Sequence, residues 1–338
     1  MAMGNGFTST TQGSNADPRQ NNDKPIIVHA SMLVHGNSSK LLAEIGDASI
    51  DCIITDPPYF IDGMGNEWSD ASLRKSRGKA GAIGGLPVGM KYDRRQGQRL
   101  YDFMLHISAE AFRVLKPGGF FLSFSQGRLY HNMAAAIEDA GFEIRDMLVW
   151  EREGQAKAFT QDHFVRRMDI PDDEKERIIS TLGGRKTPQL KGMSEPIVLA
   201  QKPREGTFVQ NWMTYGVGLV DMSETLDGKC PGTIMNVPKP RGEERAESKH
   251  MTLKPIALME HLVRLFTKPG DIVLDPFNGS GTTGIACENS GRLYVGIEID
   301  GGFVAESKDR LKRHVMLNGN AIEPDTETAA RLHAVFRS

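Results

Sequence analysis

The tetrad Asp56-Pro57-Pro58-Tyr59 puts an acid, two rigid backbone positions and an aromatic ring in four consecutive residues. Consecutive prolines fix φ and remove two N–H donors, so the chain leaves the apolar run Ile50–Thr55 stiff and extended. A carboxylate, a fixed carbonyl and a ring face are thereby presented together at the end of a strand, where open α/β sheets bind ligands. Standing alone, the tetrad also reads as a Pro-Pro turn capped by an acid. A second element, Asp275-Pro276-Phe277-Asn278-Gly279-Ser280-Gly281-Thr282-Thr283-Gly284, joins a strand-like run to a helix-like one. Gly279, Gly281 and Gly284 satisfy G-x-G-x-x-G, and the acidic Glu298 ends the following run. Such a turn brings backbone and a helix N-terminus close to a nucleotide-like ligand, with the acid accepting from ribose hydroxyls. Glycines also serve plain strand–helix packing.

The elements that must carry these residues alternate. Ile26–Ala30 is a short apolar run, Ser38–Ile45 has helical spacing and Ile50–Thr55 is strand-like. Gln98–Leu115 is amphipathic, with Leu100, Phe103, Met104, Ile107, Ala111 and Val114 on one face. Lys116-Pro117-Gly118-Gly119 predicts a turn into strand Phe120–Phe124, followed by helix Leu129–Ala140 and an extended Phe142–Trp150. Regularity fails from about Glu151 to Lys249, where only Ile197–Gln201 and Thr233–Val237 suggest strands. It resumes with helix Pro255–Phe266, strand Ile272–Asp275, helix Gly281–Asn289, strand Leu293–Ile297 and helix Gly302–His314. This alternation predicts an α/β, doubly wound domain with a mostly parallel sheet. The irregular stretch reads either as a boundary between two domains or as an insertion into one.

Composition removes other classes. At 338 residues, 39% apolar and 25% charged, the chain can bury a full core. It has no apolar run long enough for a membrane span, and its first residues lack the pattern of a secretory signal peptide. Cys52, Cys230 and Cys287 lie far apart without C-x-x-C spacing, which argues against a disulfide scaffold and a zinc site and suits a reducing cytoplasm. The net charge of −2 gives no global basic field, so a nucleic-acid partner needs local patches. Residues 1–24 are almost devoid of apolar side chains and predict a disordered tail.

Two ligand classes suit the glycine turn, a dinucleotide and S-adenosylmethionine. Asp275-Pro276-Phe277 directly before the glycines resembles S-adenosylmethionine-dependent methyltransferases. Taken with Asp56-Pro57-Pro58-Tyr59, and with His250-Met251-Thr252-Leu253-Lys254-Pro255 upstream of the turn, it resembles the amino-methylating DNA methyltransferases. These act on adenine N6 or cytosine N4. The tetrad precedes the glycine turn, which resembles the permuted order called the β group. The resemblance implies a Rossmann-like, circularly permuted catalytic domain over 25–151 and 249–315, a target-recognition insertion over 152–248 and a C-terminal extension over 316–338. It implies that Asp56 and the Pro57 carbonyl accept from the amino group of a flipped base while Pro58 stiffens the turn and Tyr59 stacks on that base. Asp275, Phe277, Gly279, Ser280, Gly281 and Thr282 would surround S-adenosylmethionine, with Glu298 on its ribose and Thr252 and Lys254 near its methionine end. Many relatives carry Gly-Asp at the end of the first strand; here the equivalent stretch reads His29-Ala30-Ser31. Asp rather than Ser before the prolines favours adenine.

Residues 71–99 hold Arg74, Lys75, Arg77, Lys79, Lys91, Arg94, Arg95 and Arg99 against one acid, Asp93. This glycine-rich segment follows the tetrad, and the expectation is that it wraps double-stranded DNA through the phosphates. Arg166, Arg167, Arg185, Lys186 and Gln189 are candidates for groove contacts. The resemblance also implies a bacterial or phage-type cytoplasmic enzyme and admits a homodimer. The rival readings are a cytosine-N4 enzyme, an RNA or protein-amide methyltransferase and an inactive DNA-binding protein of the same fold.

Overall fold

The computed structural model describes residues 24–59, 94–154, 158–188, 190–226, 228–250 and 252–337. The described strands are β1 (Ile26–Val28), β2 (Ser31–His35), β3 (Ile50–Thr55), β4 (Leu115–Phe124), β5 (Glu143–Glu151), β6 (Ser194–Gln201), β7 (Ile234–Asn236), β8 (Ile272–Asp275) and β9 (Leu293–Glu298). They form one sheet in the order β1-β2-β9-β8-β3-β4-β6-β5-β7. From β2 to β4 all neighbours are parallel, whereas β6 runs antiparallel to both β4 and β5, and β1 antiparallel to β2. The sheet is therefore mixed.

The described helices are α1 (Ser38–Leu41), α2 (Arg94–Val114), α3 (Tyr130–Asp139), α4 (Asp162–Val165), α5 (Asp172–Leu182), α6 (Phe208–Tyr215), α7 (Gly242–Ala246), α8 (Ile256–Phe266), α9 (Thr282–Ser290), α10 (Gly301–Leu317) and α11 (Thr326–His333). Leu100, Met104 and Ile107 of α2, Met133 and Ile137 of α3 and Leu332 of α11 pack with Ile53 on one face of the sheet. Leu258 and Leu262 of α8, Ile285 of α9 and Leu311 and Val315 of α10 pack with Cys52 and Ile54 on the other. Every residue of β3 is buried, as expected for a parallel strand covered on both faces. Its one acid, Asp51, accepts from the Ile272 N–H at 2.7 Å and from Lys116 Nζ at 2.5 Å, so it stitches β3 to β8 and β4.

Three local expectations change. The run at 26–30 ends at Val28, because His29 adopts φ +50 and the chain turns back into the unforeseen β2. Helix 38–45 is one α turn followed by a 3-10 turn at Leu42–Glu44. Lys116–Gly119 lies inside β4, as a bulge between the pairs Ile50/Leu115 and Cys52/Phe120, with Gly118 at φ +81. The strand expected at Ile197–Gln201 forms and begins earlier, at Ser194, as a core strand buried from Pro196 to its end.

Strands β3 and β8 lie side by side, and their onward connections diverge, through α2 to β4 on one side and through α9 to β9 on the other. A crevice at the C-terminal ends of such strands is where open α/β sheets bind ligands. Asp275 spans it. Its carboxylate accepts from Thr55 Oγ1 at 2.7 Å, Thr283 Oγ1 at 2.8 Å and the Phe277 N–H at 3.0 Å. Burial raises the Asp275 carboxyl from the usual 3.8 to about 6, against the pull of those hydrogen bonds, with nearby Asp56 adding to the rise.

A raised carboxyl means the folded chain holds a proton that the unfolded chain has released between about pH 4 and about 6. The corresponding stability is complete below about pH 4 and is lost as pH rises through about 6, a change of roughly 3 kcal/mol. Asp275→Asn keeps the shape and removes the titration. The stability difference between variant and wild type, from urea unfolding at about pH 4.5 and about pH 8, is expected to move in the variant's favour at the higher pH. A difference independent of pH would show that Asp275 titrates as it does in the unfolded chain.

Candidate active site

Asp56 follows β3 directly, and its carboxylate is held from two sides. The Lys254 ammonium bonds to Oδ2 and the Tyr59 hydroxyl donates to Oδ1, both in short contacts. Lys254 comes from the segment entering α8 and is 7% exposed. Glu195, the second residue of β6, faces the same ammonium through Oε1 at 3.0 Å and the Tyr59 hydroxyl at 3.4 Å. Its other oxygen lies 3.2 Å from Arg152 Nε, just past β5. The ammonium also lies 4.8 Å from the ring centre of Phe124, at the end of β4. Behind the tetrad, Gln96 of α2 donates to the Tyr59 carbonyl at 3.3 Å and accepts from Arg128 at 2.5 Å.

The electrostatics follow from burial among charges. Burial pulls the Lys254 ammonium toward losing its proton, but the charges of Asp56 and Glu195 and their hydrogen bonds outweigh it and raise its pKa. Burial, then the same two carboxylates, push the Tyr59 phenol well above its usual range, so it stays a hydrogen-bond donor.

Across the crevice, the glycine turn rests on a buried polar platform. Gly279 and Gly281 take φ +51 and +78, the left-handed region that glycine alone enters cheaply. A Cβ on Gly281 would lie 2.1 Å from Ser307 Oγ. Asn278 accepts from the Tyr294 hydroxyl at 2.9 Å, and Arg310, buried under the turn, donates to the Ser280 carbonyl at 2.5 Å and to Thr282 Oγ1 at 3.3 Å. Glu298 accepts from the Gly279 N–H at 2.8 Å and the Asp300 N–H at 2.9 Å. Burial raises its pKa, opposed by those two bonds. His250 stands over Gly279, 3.5 Å from where a Cβ would be, edge-on to Phe303 and 3.3 Å from Thr252 Oγ1.

The structure thus brings Asp56, Pro57, Pro58 and Tyr59 to the strand end next to that of Asp275, Phe277, Gly279, Ser280, Gly281 and Thr282, with Glu298 at the end of β9. Lys254 lies on Asp56. Ser31, taken as the end of the first strand, instead begins β2 at the opposite edge, where it donates to Glu288 at 2.7 Å. At the C-terminal end of β2 stand His35-Gly36-Asn37, with the Gly36 N–H on the Glu298 carbonyl at 2.8 Å. Sequence reasoning missed Glu195, Gln96 and Arg128, which carry no local motif, and it gave Arg152 only as the end of the strand-like segment Met147–Arg152.

Among the expected DNA contacts, Arg94 opens α2 and Arg95 is an exposed residue of its first turn, while Arg74, Lys75, Arg77, Lys79 and Gln189 lie outside the described residues. Arg166 pairs with Glu176 at 2.8 Å, and Arg185 donates to the Leu182 carbonyl at 3.3 Å at the end of α5.

The chain is similar to known proteins in sequence and in fold. The chain is 29% identical to the Type II methyltransferase M.HindIII of Haemophilus influenzae over 293 residues, covering 80% of this chain and 91% of that protein. It is 26% identical to the Type II methyltransferase M2.DpnII of Streptococcus pneumoniae, covering 83% and 89%. The fold matches the PvuII DNA methyltransferase, named as cytosine-N4-specific, with a TM-score of 0.53 at 18% identity over 88% of this chain and 95% of that one. It also matches the TTHA0409 protein of Thermus thermophilus complexed with S-adenosyl-L-methionine, with a TM-score of 0.50 at 21% identity over 85% and 95%. The family described as DNA methylase, N6 and N4 type, matches residues 50–309, and the chain belongs to it.

Proposed function

We propose that the chain methylates adenine N6 in double-stranded DNA, in the permuted β-group order, with Asp56 as the residue that engages the target amino group. The observation that carries this reading is the meeting of Asp56-Pro57-Pro58-Tyr59 and the glycine turn across one crevice, joined by Asp275. The residues of the turn fit S-adenosylmethionine. Gly279 and Gly281 leave the backbone of the turn free of side chains, and Glu298 retains lone pairs for ribose hydroxyls beyond the two N–H groups it accepts. Phe277, Ser280, Gly281 and Thr282 would line the cofactor, with Thr252 at its amino-acid end and Gly36-Asn37 where relatives carry Gly-Asp. Asp275, fully engaged in tying the loops, would act on the cofactor through the turn it holds.

When bound, the cofactor supplies a sulfonium methyl that a nitrogen lone pair can attack while sulfur leaves with the bonding pair. The chain's part is to aim that lone pair. A base buried in the stack is out of reach, so the target is extruded into the crevice. Asp56 Oδ1 and the Pro57 carbonyl accept from the two amino N–H groups, which turns the lone pair out of conjugation. Tyr59 releases Oδ1 and stacks on the base. The nitrogen gains the methyl and sheds one proton, for which Asp56 Oδ1 is the adjacent acceptor. Orientation accounts for most of the acceleration. Asp rather than Ser at position 56 supports adenine over cytosine.

Residues 152–193 and 202–248, which flank β6, would read the target sequence. The basic segment after the tetrad would hold the phosphates. The bacterial relatives support placing the enzyme in a bacterial cytoplasm, beside its DNA.

Incubation with S-adenosylmethionine and unmethylated bacterial DNA, followed by digestion and mass spectrometry, is expected to yield N6-methyldeoxyadenosine. N4-methylcytosine would overturn the choice of base, and no methylated nucleoside would overturn the reading. Asp56→Ala is expected to lower transfer at least about a thousandfold while calorimetry still detects cofactor binding; an active variant would refute the role of Asp56. Replacing Arg94 and Arg95 by alanine should flatten the plot of log affinity against log salt by about 0.9 per lost phosphate contact. An unchanged slope would place both residues off the DNA.

A further inference from the structure

Resting on the methyl-transfer reading, we propose that Glu195 is a positioning residue: its Oε1 ties the Lys254 ammonium and the Tyr59 hydroxyl, and so fixes which oxygen of Asp56 is free for the target amino group. The two side chains meet opposite oxygens of Asp56, Lys254 at Oδ2 and Tyr59 at Oδ1, and both also face Glu195 Oε1, at 3.0 and 3.4 Å. No motif of the sequence contains this glutamate. It reaches the site because β6 inserts between β4 and β5, with Glu195 opposite Trp150.

The geometry explains why a second carboxylate is needed. An ammonium has three donors on a flexible stem. Here it faces Asp56, Glu195 and the Phe124 ring in a pocket that leaves it almost wholly buried. Without Glu195, the ammonium has one anionic partner and swings across both oxygens of Asp56, capping the acceptor that the base requires. Glu195 holds it to Oδ2. Tyr59 is shared in the same way. When the incoming amino group takes Oδ1, the phenol retains a partner in Glu195, so its ring leaves Asp56 along a fixed path and does not become an orphaned buried donor. Arg152, 3.2 Å from Glu195 Oε2, holds the glutamate from behind.

The charged and titratable groups around Lys254 are Asp56 from the end of β3, Glu195 from β6 and the Tyr59 hydroxyl, with the Phe124 ring from β4. Arg152 after β5 and Lys239 after β7 act on Glu195. Burial acts to discharge the lysine, and the two carboxylates keep it charged. Removing one of them lowers the pH at which the proton leaves.

The test compares full-length wild type with Glu195→Gln, which is isosteric and neutral, under single-turnover conditions on unmethylated DNA carrying the sequence that wild type modifies, with KM values taken from steady-state runs. The expected result is a roughly 10- to 100-fold fall in the transfer rate, with the KM for S-adenosylmethionine and for DNA within about threefold of wild type. The alkaline decline of the rate should begin at lower pH than in wild type. A wild-type rate and an unmoved decline would overturn the proposal, as would a rise in KM with the rate unchanged. If Glu195→Gln does not fold, as judged by circular dichroism and cofactor binding, Glu195→Asp replaces it. That variant keeps the charge but withdraws the oxygen by one methylene, so the rate should fall while the alkaline decline stays in place, and an unchanged rate again overturns the proposal. Failure of wild-type protein to methylate any DNA would refute the underlying functional reading, whereas active wild type with an indifferent Glu195 refutes this inference alone.

Discussion

Everything at the crevice depends on one buried carboxylate. Thr55 and Asp275 are 220 positions apart, yet their 2.7 Å hydrogen bond fixes the residue just before Asp56 to the residue that opens the glycine turn. Strand pairing alone sets β3 and β8 side by side with Cys52 opposite Val273 and Ile53 opposite Leu274, and that register ends before either loop begins. Beyond it, the Asp275 carboxylate carries the alignment forward, to Thr55 on one side and to Thr283 and the Phe277 N–H on the other. In-line transfer tolerates little misplacement between donor and acceptor. A fold that delivers the two partners from distant parts of the chain therefore needs such a tie, and it sustains an acid whose ionisation is costly where it sits.

The second constraint is charge balance. Asp56 and Glu195 are matched by Lys254 and Arg152, so this set of four is formally neutral although it gathers both signs of charge at close quarters. Removing any one member of such a set leaves its partner charged and poorly solvated, which is far more damaging than the modest net stabilisation of the intact set. The dependence of Lys254 on two acids from different strands makes the site a joint product of β3, β6 and the entrance to α8. No one segment contains it.

This explains what the sequence disclosed and what it did not. The tetrad and the glycine turn are contiguous, and prolines and glycines declare backbone geometry directly, so their position at strand ends was legible. Central strands such as β3 and β8 were legible as short apolar runs between turns. β2 was not, because Ser31 and His35 bound a run that looks like the tail of β1, and only the left-handed His29 reveals the reversal. The sheet membership of β6 was legible only as an apolar stretch, since an antiparallel strand placed between two earlier ones leaves no local mark. Glu195 was hidden for the same reason, because its significance comes from Tyr59, Arg152 and Lys254, all distant from it in the chain. Lys254 was found through its motif, but the motif does not state that the ammonium would bond Asp56.

The closed arrangement of the site bears on how a base enters. Both oxygens of Asp56 have partners within the chain, so on the proposed reading an incoming amino group would replace a bond rather than fill a vacancy. Exchange of this kind discriminates. On the proposed reading, a base that presents an amino group would restore what the Tyr59 hydroxyl gives up, whereas thymine would place a carbonyl against Oδ1 and leave that oxygen without a donor, Lys254 still holding Oδ2. The lost hydrogen bond at that oxygen disfavours such a base. The same side chains that prepare the nucleophile would thus sort amino-bearing bases from the rest, leaving the choice between adenine and cytosine to the shape of the surrounding wall.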